Sequence, residues 1–182
     1  MIDMIKQLRE RSGAGIMDCR GALIETDGDI AKAAEILRER NLARVEKKSS
    51  RTADQGIVET YIHTGGRIGA MVELNCETDF VARTPEFREL AHNLAMQIAA
   101  QEPVCIDESQ VPDDPDCNPE IACLLLQPFI KEPDVKIRDL ITETAAKVRE
   151  NVRVRRFVRF ELGQAEAGIA QIEVAVAAGT DA

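Results

Sequence analysis

Few residues in this chain are of the kind that does chemistry. The only histidines are His63 and His92, far apart in sequence. The five cysteines are Cys19, Cys76, Cys105, Cys117 and Cys123. An odd number with no C-x-x-C spacing reads as reduced, mostly buried thiols rather than a disulfide framework. Zinc needs clustered ligands, and the sequence offers none. It carries no G-x-x-x-x-G-K-[ST] phosphate loop and no G-x-G-x-x-G turn; Gly13 and Gly15 flank a helix break instead. No Ser or Cys stands in a pattern with a His partner, and abundant carboxylates are not a paired acid and base. These residue types describe a protein that is not an enzyme and takes no metal or cofactor.

Two patterns suggest contact rather than catalysis. Arg153, Arg155, Arg156 and Arg159 lie on a strand-like run and could meet phosphate or RNA. Three of them, Arg153, Arg155 and Arg159, share the face opposite the apolar one. A solvated sheet face pairing with Glu59 or Glu73 is the favoured reading. The more informative segment is Asn75-Cys76-Glu77-Thr78-Asp79-Phe80-Val81-Ala82. It puts an acid and a large aromatic in a strand-to-helix connection. Phe80 either folds under the next helix as an anchor or stands out as a probe for a partner's pocket.

The elements that must position these residues are legible from periodicity. Met1, Met4, Ile5 and Leu8 predict a first helix, Ile16, Met17, Leu23 and Ile24 a second, and Ile30, Ala33, Ala34 and Leu37 a third. Asp29 is placed to cap the third helix, which should end near Asn41. Residues 44–55 read as a polar, basic connector or an extension of the third helix. Ile57–Ile62 and Ile68–Cys76 bracket Thr64-Gly65-Gly66, a hairpin signal. In the second strand Ile68, Ala70, Val72 and Leu74 share one face. Thr84 and Pro85 open a helix with a stripe of Phe87, Leu90, Ala91, Leu94 and Ile98. Residues 124–130 form a short apolar segment packed on the core. A last helix carries Ile137, Leu140, Ile141, Ala145 and Val148. In the closing strand Val152, Val154, Val158, Phe160 and Leu162 share a face.

Composition narrows the class. The chain has 182 residues, 23 Lys+Arg against 32 Asp+Glu, and a formal net charge of −9. Such a chain is a poor general binder of nucleic acid or anionic membrane. With 3% aromatics and no Trp, little is available for stacking on bases. No apolar run approaches the roughly 20 residues of a membrane span, and the N-terminus lacks a secretory signal. A cytoplasmic protein is expected. Nine Asp+Glu and one Lys fall in residues 102–134, giving that stretch −8. Its centre, residues 111–116, should be an exposed loop.

Three segments resemble the bacterial elongation factor Ts family, nucleotide exchange factors of elongation factor Tu. They are Leu8 to Arg20; Glu73 to Ala82; and Gln127-Pro128-Phe129-Ile130 with Arg155 to Glu161. The resemblance implies an α+β chain of the short form. Residues 1–43 would be a three-helix docking domain like a ubiquitin-associated domain, 44–55 a linker, and 56–163 a core with a small antiparallel sheet. Residues 164–182 would be a poorly ordered tail. It further implies binding to elongation factor Tu, GDP-bound and nucleotide-free, with Thr78, Asp79, Phe80 and Val81 as the exchange loop. Direct binding of nucleotide, nucleic acid or membrane is not expected.

Other contacts carry over from the same resemblance. They are Arg11, Gly13, Met17, Asp18, Cys19 and Arg20 near the N-terminus, then Ile68 and Gly69, Met96 and Gln97, and Ile130 and Lys131. Gln97 stands where a partner-contacting His is common, and Arg20-Gly21 where paired lysines are common. The helical stretch before Gln-Pro-Phe is shortened. Val158 replaces a cysteine that links two subunits in some short-form members, which leaves a non-covalent homodimer through the sheet. Two other readings stand beside exchange: an adaptor acting through the N-terminal bundle, and an RNA module built on the arginine strand.

Overall fold

The computed structural model of the chain describes residues 1–111 and 117–164. The first two helices are α1 (Ile2–Ser12) and α2 (Ile16–Glu25), followed by α3 (Ile30–Lys48). The break between the first two is made by Gly13 at φ 63°, whose N–H donates to the Arg9 carbonyl at 2.9 Å. A left-handed residue is what ends a helix this way, and glycine takes it without strain. Asp29 starts α3 as expected, its carboxylate accepting from the Ala31 and Lys32 N–H groups at 3.0 and 3.1 Å. Leu8, Cys19, Ala22, Leu23, Ala33 and Leu37 close a small core between the three.

Helix α3 runs past Asn41 to Lys48. Its apolar stripe gives out there, but tertiary partners take over. Arg44 pairs with Asp18 at 3.0 Å, Val45 packs against the larger core, and Lys48 Nζ donates to the Arg149 carbonyl at 2.7 Å. Packing of this kind sustains helix that propensity alone does not. The rest of the connector is fastened as well. Asn151 Nδ2 donates to the Ser49 and Arg51 carbonyls, and Ala53 is fully buried.

The core is an antiparallel sheet on helices, an α+β arrangement. Strand β1 (Gln55–Ile62) pairs with β2 (Ile68–Cys76), and β5 (Arg153–Glu161) adds to the far edge of β2. Ala70, Val72, Leu74 and Cys76 point from β2 onto helix α5 (Pro85–Gln101), which buries Phe87, Leu90, Ala91, Leu94 and Ile98 as the stripe predicts. Helix α7 (Ile137–Val148) packs against both α5 and α3 and joins the bundle to the core.

One expectation for β5 fails at its centre. Glu73 pairs with Arg156 but the next residue, Leu74, pairs with Val154, so Arg155 is an extra residue in a β-bulge. A bulge inverts the alternation beyond it. Val152 and Val154 are buried, whereas Phe160 and Leu162 are exposed on the opposite face. Arg159 is correspondingly carried to the helix side. It lies opposite Ala70 with its side chain only 10% exposed, and its guanidinium donates to the Ala99 carbonyl at 3.1 Å.

Two further stretches hold more structure than their sequence suggests. Between β2 and α5 sits a short helix, α4 (Asp79–Ala82). Asn118 caps another, α6 (Pro119–Ala122). A 3₁₀ turn at Leu124–Leu126 leads into β3 (Pro128–Phe129), which pairs with β4 (Glu132–Lys136) in a hairpin not foreseen from the sequence. Residues 112–116 of the acidic loop, and the tail from 165, lie outside the described residues.

Candidate functional site

The loop after β2 is held at both ends. Cys76 Sγ donates to the Thr78 carbonyl at 3.1 Å. The Glu150 carboxylate accepts from the Glu77 and Thr78 N–H groups at 3.0 and 2.9 Å and from the Thr78 hydroxyl at 2.6 Å. Thr78 Oγ1 also accepts from the Val81 N–H, capping α4. At the other end Thr84 caps α5, accepting from the Phe87 N–H at 3.3 Å and donating to the Val81 carbonyl at 2.9 Å. Between these clamps one helical turn divides its side chains. Ala82 is buried and Val81 packs on the core, while Asp79 and Phe80 face outward. Phe80 is 77% exposed, so it is not a core anchor. Asp79 pairs with Arg83 at 2.6 Å across one helical turn.

The clamp itself was missed from the sequence. Residues 149–151 form a turn that starts with Arg149 in the left-handed region at φ 61°. The Arg149 carbonyl receives Lys48, Glu150 holds the loop, and the Asn151 N–H donates to Glu77 Oε1 at 2.7 Å. Arg149 also reaches the bundle, where its guanidinium lies 3.5 Å from the place a side chain on Gly15 would occupy. One turn therefore touches the N-terminal helices, the connector and the loop. Its only sequence signal is an Asn directly between a helix and a strand.

A second cluster lies at the far end of β2. Ile68, Met96 and Ile130 line one hollow of about 440 Å³ with Tyr61 and His63. At about 3.3 Å per residue, the two ends of β2 stand about 26 Å apart. The loop and the hollow thus belong to separate patches. Gly69 is not in the hollow; it sits on the other sheet face, where an added Cβ would lie 2.7 Å from Ile62 Cδ1. Gln97 is fully buried and cannot itself meet a partner. Its amide donates to Gln127 Oε1 and to the Pro128 carbonyl, both at 3.1 Å, and accepts from the Ile130 N–H at 3.0 Å. It sets the position of Ile130 instead. Lys131 Nζ donates to Asn93 Oδ1 at 2.8 Å.

The N-terminal candidates divide the same way. Cys19 is fully buried in the bundle, so its role is packing. The guanidinium of Arg44, hydrogen-bonded to Asp18, holds that carboxyl below its ordinary range. Arg11, Gly13, Met17 and Arg20 are exposed. On α2 the exposed side chains Ile16, Met17, Arg20 and Ile24 fall on one stripe, an uncovered apolar face.

Arg155 and Arg156 both lie beside Glu73, at 3.7 and 2.6 Å, the cross-strand pairing expected of a sheet face. Among the described residues no group of three or more His, Cys, Asp or Glu is arranged to hold a metal ion. No described helix is long and apolar enough to cross a membrane.

The fold and these patches define an α+β protein that presents clamped, outward-facing side chains. The elongation factor TS family model matches residues 24–115. Elongation factor Ts of Carboxydothermus hydrogenoformans is 48% identical, covering 88% of this chain and 88% of that protein. The Thermodesulfovibrio yellowstonii protein of the same name is 47% identical over 90% of this chain and 96% of its own. That of an Anaeromyxobacter species is 45% identical over 97% and 96%. The chain belongs to the elongation factor Ts family of translation elongation factors.

Proposed function

We propose that this protein is a cytoplasmic factor that binds elongation factor Tu·GDP and promotes GDP release without covalent chemistry. The exposure of Phe80 on a turn fixed at both ends carries the reading. Thr78, Asp79, Phe80 and Val81 would form the exchange loop. Phe80 enters a pocket that opens as GDP loosens, and Asp79 disturbs the partner's Mg²⁺ and phosphate contacts. A Phe transferred from water into an apolar pocket gains roughly 1.5–3 kcal/mol, enough to shift the partner's nucleotide equilibrium about ten- to a hundredfold. The α2 stripe around Met17, the exposed Arg11, Gly13 and Arg20, and the Ile68–Met96–Ile130 hollow with neighbouring Lys131 would extend the contact. By reciprocity, GTP entering the empty partner displaces the factor.

The test is release of fluorescent GDP from purified elongation factor Tu. Accelerated release supports exchange. Binding without acceleration supports an adaptor acting through the bundle, and a strongly salt-dependent RNA shift supports an RNA module.

One observation favours a homodimer in addition. The sheet face away from α5 leaves Val58, Ile62, Met71 and Phe160 exposed across all three strands. A second copy would cover it. Met71→Glu should then convert a dimer to a monomer in sedimentation, and a wild-type monomer would dismiss the idea.

A further inference from the structure

Cys105, Cys117 and Cys123 gather in a small cluster of their own, away from the loop and the hollow. Cys105 and Cys123 face each other across an isolated parallel bridge, both buried, with their sulfurs 3.2 Å apart. Backbone bonds fix that register. The Cys105 N–H donates to the Ala122 carbonyl at 3.1 Å, and the Leu124 N–H donates to the Cys105 carbonyl at 3.0 Å. Adjacent strands stand about 4.7–4.9 Å apart, inside the roughly 4.4–6.8 Å between Cα atoms that a disulfide spans. The bridge therefore already supplies the backbone geometry of a cross-link. Among the described residues no third ligand completes a metal site around the pair. Simple packing explains the burial of two cysteines but not their registered, sulfur-to-sulfur approach.

We propose that Cys105 and Cys123 are an oxidative modification site, at which a hydroperoxide converts the two thiols into an intramolecular disulfide. One thiol loses its proton and its sulfur attacks the peroxide O–O bond. That bond breaks, the sulfur becomes a sulfenic acid, and water or an alcohol leaves. The second thiol attacks this sulfur, the S–S bond forms, and the hydroxyl departs as water with the second proton. The two thiols are oxidised by two electrons in sum, and the peroxide is reduced by two.

Burial and the adjacent Cys123 push the Cys105 thiol up to about 12, so the reaction is slow until the segment opens. Opening is local. Among the described residues only Ala122 joins the two cysteines in the buried part of this cluster, a far thinner core than that under the sheet. The link would join positions 18 apart in sequence and staple the chain directly before Gln127, whose amide holds Gln97.

The test treats the full chain with hydrogen peroxide, blocks free thiols, and reads intact mass, peptide map and melting. The proposal expects loss of two hydrogens, one cross-linked peptide joining Cys105 to Cys123, and reversal by dithiothreitol. It also expects a melting temperature raised by about 5–10 °C. Cys105→Ala or Cys123→Ala could weaken the fold, so Cys117→Ser serves as the control and must still form the link. A cross-link through Cys117, sulfinic or sulfonic acids in place of a link, or no product while Cys117 is oxidised would each overturn the proposal.

Discussion

Glu150 holds Thr78 twice, through the backbone N–H at 2.9 Å and through the hydroxyl at 2.6 Å. The two residues are 72 apart in sequence. The same carboxylate takes the Glu77 N–H, so the loop's entry is fixed by a group distant in sequence that the start of β5 brings beside it. Glu150→Ala would strip the acceptor from these donors, at a cost of about 1–3 kcal/mol. The expected result is a melting temperature lower by several degrees and faster hydrogen exchange at the Glu77 and Thr78 amides. Glu150→Gln, which keeps one acceptor oxygen, should fall between. Unchanged exchange at both amides in Glu150→Ala would show that the clamp does not order the loop.

Phe80 separates function from stability in one side chain. Because it is 77% exposed, Phe80→Ala should leave melting within a degree or two of wild type. GDP release from elongation factor Tu should slow by about ten- to a hundredfold, matching the transfer energy of a buried Phe. A core anchor would behave in the opposite way, losing about 3–5 kcal/mol of stability. Normal release on this mutant would remove the wedge from the mechanism.

The Gln97–Gln127 pair should reward removal of both partners over removal of one. Gln97→Leu leaves the Ile130 N–H and the Gln127 oxygen without their partner, costing about 1–3 kcal/mol. The double substitution with Gln127→Leu should cost less than the sum of the single changes, a coupling that a double-mutant cycle on thermal melting would measure. Additive losses would mean that the two amides act independently.

Stability should fall at both ends of the pH scale, for different reasons. Burial, then the charge of Glu150, raise the Cys76 thiol from 9.0 to about 11. A folded value above the unfolded one means the contribution is whole below pH 9.0 and is lost as the pH climbs toward about 11. Cys76→Ala should flatten that alkaline fall in melting temperature, with Cys105 retaining part of it. On the acid side, Arg44 holds Asp18 low, Arg156 holds Glu73 low and Arg159 holds Glu161 low. Their contribution is present above the ordinary values of 3.8 and 4.5 and is lost as the pH drops below them. Asp18 and Glu161 are partly exposed to solvent, so high salt should blunt their share of the acid limb and spare the alkaline one.

The sequence by itself determined the elements whose causes are local. Thr84 and Pro85 start α5 because a cap and a fixed φ act within one turn. The turn at Thr64-Gly65-Gly66 joins β1 to β2, and the α5 stripe buries the side chains it marks, whereas Ile16, Met17 and Ile24 of α2 stay exposed. The motif from Glu73 to Ala82 marked the loop, and the same segments pointed to the family.

Tertiary structure decided what those elements present. Phe80 could have gone under the helix or out to solvent. The Glu150 and Thr84 clamps turned Val81 and Ala82 inward and left Phe80 outside. Arg159 changed faces because one extra residue, Arg155, bulges from β5, and a period of two keeps no record of such an insertion. Helix α3 outran its stripe because Asp18 and Arg149 hold its last turns. Cys105 and Cys123 look unrelated in sequence and become neighbours only when a β-bridge aligns them. Apart from the local Thr84 cap, these contacts join residues whose separation follows no helical or strand period, so only the folded chain could bring them together.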